Sequence, residues 1–301
     1  MTNLSKEREK TLHVSLGSQC NNNCIFCMEP RFSKWVFQRT LDEHKQFIKN
    51  SSSEGFTRIV FTHKEPTLSE KKLIQLIKYA NKIGYKDIML ITNGRLLSYN
   101  NFTLKLFEAG LNHVEISLHG SNQKIHESLT RTPGSFIQTI MGITNVCNYS
   151  KKFDINYSIN FTITSINFED IYNFYKLAHS FNPNNIIFNF YCTKCPAERD
   201  HYFLLASYSR VIKQLQKIFS DNFSLIDFPF CIVPENLLGN IGHIEDYHLF
   251  DEFDRRGYAR NDWIYSKETT EACEGCKYVF ACPKPSKEYI KKYGISEFVK
   301  Q

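Results

Sequence analysis

The sequence predicts an α/β protein built on a sheet of parallel strands. Six short apolar stretches, rich in β-branched or aromatic residues, are each followed by a segment of helical periodicity. Several of these stretches are continuous apolar runs, such as 59–61 and 186–188, which is typical of strands buried on both faces. Six β/α units in succession indicate either a parallel barrel or a doubly wound sheet with right-handed crossovers.

The elements follow one another in order along the first two thirds of the chain. The predicted strands are residues 11–17, 58–62, 87–92, 113–118, 156–164 and 185–191. The predicted helices are residues 41–50, 68–83, 99–109, 135–149, 168–180 and 203–219. Beyond about Ser220 the periodicity is lost, and residues 221–301 hold four of the ten cysteines. We therefore divide the chain into an amino-terminal tail (1–10), an α/β domain (11–220) and a small irregular Cys-rich domain (221–301) that needs a metal to fold.

Composition and charge exclude several classes of protein. With 301 residues, 42% hydrophobic and 23% charged, the chain is neither a miniprotein nor a disordered or fibrous protein. The net charge of +6 is spread along the chain, so it predicts no nucleic-acid partner, although it would tolerate an anionic substrate. Neither a secretory signal nor an apolar run of about 18 residues is present, which predicts a cytoplasmic protein with no membrane partner. In that compartment thiols stay reduced, so the cysteines are interpreted as metal ligands or reactive groups.

A cluster of three cysteines, Cys20, Cys24 and Cys27, is the strongest functional signal. They form a C-x3-C-x2-C run directly after the first predicted strand. Three thiolates can hold three irons of a [4Fe–4S] cubane and leave the fourth iron open to a ligand. Sites of parallel barrels form at the carboxyl ends of strands, where this loop begins. A structural zinc site is the alternative, and His13 would then be the only nearby fourth ligand.

This run, in this place, resembles the signature of the radical S-adenosylmethionine (SAM) superfamily. The resemblance implies a partial (β/α)6 TIM-like barrel of parallel strands. It also implies that the open iron chelates the amino and carboxylate groups of SAM. An electron from the cluster then cleaves a C–S bond of SAM to give a 5′-deoxyadenosyl radical, which abstracts hydrogen from the substrate. The protein positions and shields this chemistry.

The end of the second predicted strand is similar to the Gly-Gly-Glu-Pro stretch with which the superfamily binds the SAM amino group. Here the sequence is Thr-His-Lys-Glu-Pro, so Glu65 matches while His63 and Lys64 stand in place of the glycines. The resemblance implies that the backbone of these two residues and the carboxylate of Glu65 contact SAM. That role requires φ/ψ values that L-residues can adopt. An ordinary turn before a helix is the alternative.

Five further positions match the family more loosely. Phe26, inside the cysteine motif, would lie beside the adenine, and Asn93, in a Thr-Asn-Gly stretch, would line the cavity unless it serves only as a turn. Ser117 would bind the carboxylate or ribose of SAM, and Arg131 would supply a guanidinium to the carboxylate. Asn160 lies on the polar face of the fifth strand and is assigned to the adenosine.

The irregular tail carries a second set of cysteines: Cys231, Cys273, Cys276 and Cys282. Four thiolates satisfy either zinc or an iron–sulfur cluster. The arrangement is similar to the SPASM or twitch appendages of radical SAM enzymes, which implies one auxiliary [4Fe–4S] cluster. Two more cysteines, Cys192 and Cys195, end the sixth strand as a redox pair, as cluster ligands, as substrate-contacting thiols, or as thiols without a role.

We therefore expect a radical SAM enzyme with two clusters and SAM as cofactors. The resemblance favours modification of a ribosomally made peptide, supported by a reducing electron donor such as flavodoxin or ferredoxin. The alternatives are the synthesis of a small-molecule cofactor or modified nucleoside by the same chemistry, and a zinc-stabilised binding module that is not an enzyme.

Overall fold

The computed structural model describes residues 10–27, 39–192, 201–218, 222–242, 247–250, 257–258 and 267–299, of which 247–250 and 257–258 are described in their backbone alone. Within these residues a nine-stranded sheet has the order β7-β6-β5-β4-β3-β2-β1-β8-β9. The strands are β1 Thr11–Val14, β2 Arg58–Phe61, β3 Asp87–Thr92, β4 His113–Ser117, β5 Asn156–Ile163, β6 Asn185–Phe190, β7 Phe223–Ile226, β8 Tyr247–Phe250 and β9 Gly257–Tyr258. All neighbours pair in parallel except β8 and β9.

The helices lie between the strands as expected of β/α units. They are α1 Leu41–Ser53, α2 Glu70–Lys82, α3 Asn100–Glu108, α4 Gln123–Thr130, α5 Ser135–Phe153, α6 Ile171–Ser180, α7 Tyr208–Leu215 and α8 Lys287–Tyr293. The beginning of α1 is fixed by a capping box, in which Thr40 Oγ1 accepts from the Glu43 N–H and Glu43 Oε2 accepts from the Thr40 N–H at 2.7 Å. No helix in the described part of the chain is both long and apolar enough to cross a bilayer.

The α/β fold class and the six predicted strands are confirmed, each strand within three residues at either end. Two differences stand out. The short helix α4 was not predicted as a separate element, and the predicted helix 203–219 is reduced to Tyr208–Leu215. Residues beyond 220 also contribute three strands, because β7 pairs with β6 and β8 pairs with β1.

The two faces of the strands differ in chemistry. Residues such as Val14, Phe61 and Leu90 are fully buried in the hydrophobic core beneath the helices. The alternate residues carry the polar groups, as the period of two requires. Glu115 on β4 and Ser158 on β5 are paired in register there. The inner face of the sheet therefore carries polar groups on β4 and β5, and the parallel strands end at one common edge.

The carboxyl-terminal segment packs into the same core. Tyr289 of α8 is fully buried, and its ring lies 4.3 Å from that of Tyr208 on α7. The Tyr289 hydroxyl also accepts from the Tyr208 N–H at 2.8 Å. Phe298 is 7% exposed and joins the same cluster. The last helix is thus held on the barrel by apolar burial and a buried hydrogen bond.

Candidate metal and cofactor site

The loop that carries the three cysteines is anchored to the end of α4. The Asn23 N–H donates to Thr130 O at 3.0 Å, and the Ile25 N–H donates to Leu129 O at 2.8 Å. Arg131 Nε donates to Asn23 O at 3.0 Å. The loop is therefore fixed at its centre by backbone bonds rather than by its thiols.

The Cys20 sulfur lies beside the loop that follows β3 and receives hydrogen bonds. The Asn22 N–H lies 3.4 Å from Cys20 Sγ, and Asn93 Nδ2 lies 3.9 Å from the same sulfur. Desolvation raises the pKa of the Cys20 thiol, and the neighbouring Cys27 thiol contributes to that rise. Cys24 accepts the Cys27 N–H through its backbone oxygen at 3.2 Å. Among the described residues no three His, Cys, Asp or Glu side chains are gathered tightly enough to hold one metal ion.

Glu65 ties the loops after β2 and β3 to each other and to the cysteine loop. Glu65 is buried, with only 3% of the residue exposed. Oε1 accepts from Thr67 Oγ1 at 2.5 Å and from Thr92 Oγ1 at 2.7 Å, and Oε2 accepts from the Asn93 N–H at 2.8 Å. The Glu65 N–H donates to Gln19 O at 3.1 Å, directly before Cys20. Burial raises the pKa of this carboxyl, which four donors partly offset.

His63 and Lys64 adopt the left-handed backbone conformation, with φ of 67° and 53°. Glycine adopts such φ values without cost, whereas L-residues in this region cost of order 1–2 kcal/mol each. The two residues thus adopt a conformation that glycine tolerates more easily than they do. The His63 ring lies on the inner face, edge-on to His13 at 6.4 Å between centroids.

The loop after β3 contains an arginine that supports the cysteine loop and that the sequence analysis missed. Arg95 Nη1 donates to Asn22 Oδ1 at 3.1 Å and also to Asn21 O, while Nε donates to Gln138 Oε1 at 2.6 Å. Asn93 lies beside it and donates to Asn21 Oδ1 at 2.6 Å. The available sequence signal was the position of Arg95 directly after Thr-Asn-Gly, but a single arginine in a loop forms no pattern that predicts a contact.

Ser117 and Asn160 are brought together by the register of β4 and β5. Asn160 is 8% exposed, and its Nδ2 donates to Glu115 Oε1 at 3.0 Å. Its backbone oxygen accepts from the Leu118 N–H at 2.9 Å. Both residues predicted to contact the cofactor therefore lie at the edge where the cysteine loop also lies.

Phe26 packs edge-on against His119, with the ring centroids 4.7 Å apart. His119 stacks in turn on His126 at 5.9 Å, and each imidazole accepts a backbone N–H at Nδ1. Burial lowers the pKa of His126 to about 4 and that of His119 well below its usual value. Both rings are consequently neutral near pH 7, and they support Phe26 without adding charge.

Arg131 links the end of α4 to the cysteine loop. It caps α4 in the left-handed conformation, with φ of 50°, and is exposed. Its Nε donates a hydrogen bond to Asn23 O of the cysteine loop. The remaining guanidinium nitrogens are the groups available to a carboxylate, so its predicted role toward SAM stays a prediction.

The tail cysteines lie on two short turns that an aromatic stack joins. Cys231 follows β7, and the other three lie on 273–282. Phe230 and Tyr278 stack with 4.7 Å between centroids at 17°. Burial raises the pKa of Cys231 to about 11, and the neighbouring Cys282 and Cys273 thiols add to the shift. The fold therefore brings Cys231 into the electrostatic range of the later cysteines.

Backbone donors also face the tail sulfurs. The Thr270 N–H lies 3.4 Å from Cys273 Sγ, and the Lys284 N–H lies 3.4 Å from Cys282 Sγ. Cys276 is half-buried with them. Cys195 lies outside the described residues, whereas Cys192 is buried and donates to Asp227 Oδ2 at 3.6 Å.

Comparison with known proteins gives relatives of several activities. The AdoMet-dependent heme synthase of Methanosarcina barkeri is 30% identical over 164 residues, which are 54% of this chain and 45% of that protein. The GTP 3′,8-cyclase of Petrotoga mobilis is 35% identical over 136 residues, 44% of this chain and 41% of that protein. The chain thus spans about half the length of the curated relatives it matches.

Solved structures of similar fold cover nearly the whole chain. anSMEcpe with bound AdoMet and the Kp18Cys peptide has a TM-score of 0.65 at 18% identity and covers 93% of this chain and 89% of that one. Streptococcus suis SuiB bound to precursor peptide SuiA has a TM-score of 0.67 at 12% identity, covering 98% and 75%. The model of the Radical SAM superfamily matches residues 14–178, more than half of the chain. The cysteine loop at the carboxyl edge of this parallel sheet is therefore that of an enzyme belonging to the Radical SAM superfamily.

Proposed function

We propose that this enzyme generates a 5′-deoxyadenosyl radical and abstracts a hydrogen atom from a residue of a ribosomally made peptide. Membership of the superfamily implies a [4Fe–4S] cluster and SAM. When bound, these supply the electron and the C–S cleavage that give the radical. The observation that carries the proposal is the anchored loop of Cys20, Cys24 and Cys27 at the common edge of the strands.

We assign this edge to a cubane, which membership of the superfamily implies and for which the anchored loop supplies three thiols. A single zinc ion would need four ligands within about 2.3 Å of one point, and such a gathering is absent from the described residues. A cubane accepts thiolates that are farther apart, because each binds a different iron. The N–H of Asn22 and the amide of Asn93 already face Cys20 Sγ, and donors of this kind tune cluster potentials.

The surrounding residues would bind and orient the cofactor. We assign the left-handed carbonyls of His63 and Lys64 to the amino group of SAM, and Glu65 to holding that turn against the cysteine loop. Phe26, Asn93, Ser117, Arg131 and Asn160 remain our candidates for the rest of SAM. Burial of Phe26 against His119 and Tyr191 would exclude water from the reacting carbon.

We further propose an auxiliary [4Fe–4S] cluster on Cys231, Cys273, Cys276 and Cys282. Their support is the stacked pair of Phe230 and Tyr278 and the backbone donors at two of the sulfurs. Residues 221–301 would form this auxiliary unit after the barrel of residues 11–220. A flavodoxin- or ferredoxin-type donor would supply electrons.

A peptide substrate is favoured by the two fold neighbours that were solved with peptides, since their similarity extends over the tail as well as the barrel. The second candidate is a purine nucleotide. Its support is the set of GTP 3′,8-cyclase relatives, of which two match 58% and 44% of this chain.

Reductive cleavage of SAM tests the chemistry. Anaerobically reconstituted protein given dithionite and SAM should release 5′-deoxyadenosine and methionine in equal amounts, detected by liquid chromatography. The variant Cys20→Ala should release neither. Equal release by both proteins would reject the proposed site.

Metal analysis tests the auxiliary cluster. Two cubanes require about eight irons and eight sulfides per chain. A Cys273→Ala, Cys276→Ala variant should retain about four of each, whereas Cys147→Ala, a thiol that donates to Phe181 O, should retain all. Zinc without sulfide in the wild-type protein would instead support a binding module.

Substrate class is tested by mass spectrometry. Short reading frames beside the gene would be expressed with the enzyme, and their products examined for a loss of two hydrogens or for a new crosslink. Incubation with GTP is the parallel arm. A product from GTP and none from the peptides would transfer the assignment to nucleotide chemistry.

A further inference from the structure

A buried thiol that the assigned metal and cofactor residues leave unused follows the carboxyl end of β6. Cys192 is only 4% exposed. It lines a cavity of about 170 Å³ together with Phe26 and Cys27 of the cysteine loop. Thr162 and Asn189 line the same cavity. Cys192 therefore borders the space beside the loop to which we assign the SAM cluster.

A buried ion pair holds this thiol in place. Cys192 Sγ donates to Asp227 Oδ2 at 3.6 Å, and Lys267 Nζ lies 3.6 Å from Asp227 Oδ1. The side chains of Asp227 and Lys267 are 8% and 4% exposed. Asp227 also lines the cavity, and within the described part of the chain its Oδ1 accepts no hydrogen bond. Because a buried pair of charges contributes little net stability compared with apolar side chains, a role at this cavity explains the pair better.

An aromatic side chain connects Cys192 with the tail cysteines. The Tyr208 hydroxyl donates to Asp227 O at 3.4 Å, and the Tyr208 ring stacks on Phe190 with 4.1 Å between centroids. Burial raises the pKa of Tyr208, and the Cys192 and Cys282 thiols add to the rise, so both sulfurs lie within electrostatic range of one phenol. Cys192 thus lies between the cysteine loop and the cysteines to which we assign the auxiliary cluster.

Bond strengths determine what a thiol does beside a carbon radical. An S–H bond is weaker than an aliphatic C–H bond, so transfer of a hydrogen atom from a thiol to an alkyl radical is favourable. The step forms a C–H bond and leaves a thiyl radical on sulfur. One electron from a ferredoxin- or flavodoxin-type donor reduces the thiyl radical to a thiolate. One proton, passed from Lys267 through the Asp227 carboxylate, then restores the thiol.

We propose that Cys192 is a catalytic residue that donates a hydrogen atom to a carbon radical formed in this cavity, with Asp227 and Lys267 as positioning residues. The inference rests on the proposed function for the source of the radical and adds the step that quenches it. It also gives the reaction class for a peptide substrate. A carbon that loses hydrogen to the 5′-deoxyadenosyl radical and regains it from Cys192 keeps its hydrogen count, so its configuration is inverted rather than crosslinked.

Transfer of deuterium tests this step with SAM as the only substrate. The full-length protein would be reconstituted anaerobically in D₂O, so that its thiols carry deuterium, and then given dithionite and unlabelled SAM. Because the cavity adjoins Cys27, we expect the 5′-deoxyadenosyl radical to take deuterium from Cys192 when no peptide is present. Mass spectrometry should find one deuterium in most of the 5′-deoxyadenosine from the wild-type protein.

Two serine variants distinguish Cys192 from other exchangeable groups. Cys192→Ser should lose the label, because the O–H bond of serine is too strong to give its hydrogen atom to an alkyl radical. Cys147→Ser is the matched control, since the Cys147 thiol donates to Phe181 O at 3.3 Å on the helix α5, and its product should keep the wild-type label. The label is measured as a fraction of the product, so a lower yield of folded enzyme does not change it.

The outcomes separate this inference from the proposed function. Wild-type 5′-deoxyadenosine without deuterium would overturn the inference. A Cys192→Ser product that keeps the label would also overturn it, and would assign the label to another group at the cavity, such as the Tyr191 hydroxyl. A wild-type protein that releases no 5′-deoxyadenosine would instead overturn the proposed function, and with it the source of the radical.

Discussion

Replacing Glu65 by glutamine should lower the free energy of unfolding, although the two side chains have nearly the same size. The carboxylate accepts from Thr67 and Thr92 through Oε1 and from the Asn93 N–H through Oε2. A glutamine whose carbonyl faces the threonines must place its NH₂ against the Asn93 N–H, so that two donors meet. In the opposite orientation of the amide, the NH₂ meets the threonine hydroxyls instead. One charge-assisted bond is lost and one buried donor is left unsatisfied, which costs about 2–3 kcal/mol.

Thermal unfolding at about pH 8, well above the usual titration range of a carboxyl, measures this cost, since burial raises the pKa of Glu65. The loss corresponds to a fall in Tm of about 4–12 °C. Glu169→Gln is the control, because its carboxylate is 71% exposed and pairs only with a surface arginine at 3.1 Å, so it should change stability by under about 0.5 kcal/mol. If Glu65→Gln and the wild-type protein have the same Tm, the hydrogen bonds to the Glu65 carboxylate do not hold these loops together.

Three other perturbations follow from the geometry. His63→Gly with Lys64→Gly should raise the free energy of unfolding by about 1 kcal/mol, because release of left-handed strain exceeds the added entropy of the unfolded chain; urea denaturation that shows a loss would contradict it. Gly142→Ala should cost at least about 1–3 kcal/mol in the same assay, since its Cβ would lie 2.2 Å from a backbone oxygen, whereas Gly239→Ala meets nothing within 4 Å and should cost little. Burial lowers the pKa of His126 to about 4, so the unfolded chain binds the proton more tightly than the folded chain, and stability should decline as the pH falls from about 6.5 to about 4. His126→Asn should remove about 3 kcal/mol of that decline. If the free energies of unfolding of the two proteins depend on pH in the same way, the assignment is refuted.

The barrel was predictable because its signals are local. Strands such as 87–92 and 185–190 are apolar runs with helical segments behind them, so period and length suffice. β7 and β8 are only four residues long and lie in a segment without periodicity. Their strand conformation comes from pairing with β6 and β1, which are distant in sequence, and no local pattern reports such pairing.

The cysteine loop has a local sequence signal, whereas the residues that support it have little. The spacing of the cysteines marks the loop directly, but the left-handed turn at His63 and Lys64 contains no glycine that would indicate it. That conformation is imposed from both sides, by Glu65 bound to Gln19 and by the strand before it. Arg95 escaped notice for a related reason, because its role depends on a loop about 70 residues away in sequence that only the folded sheet brings near.

The carboxyl-terminal segment cannot be treated as a detachable carrier of a second cluster. Its Tyr289 is buried against Tyr208 of the barrel, and its Lys267 completes the pair with Asp227 at the cavity that Phe26 also lines. If the tail binds the cluster that we propose, loss of that cluster would therefore loosen the mouth of the barrel as well as remove a redox centre. A tail-cysteine variant that no longer cleaves SAM is consequently ambiguous between broken electron transfer and a displaced Lys267. Lys267→Met separates the two, because it disturbs the mouth while leaving all four tail thiols in place.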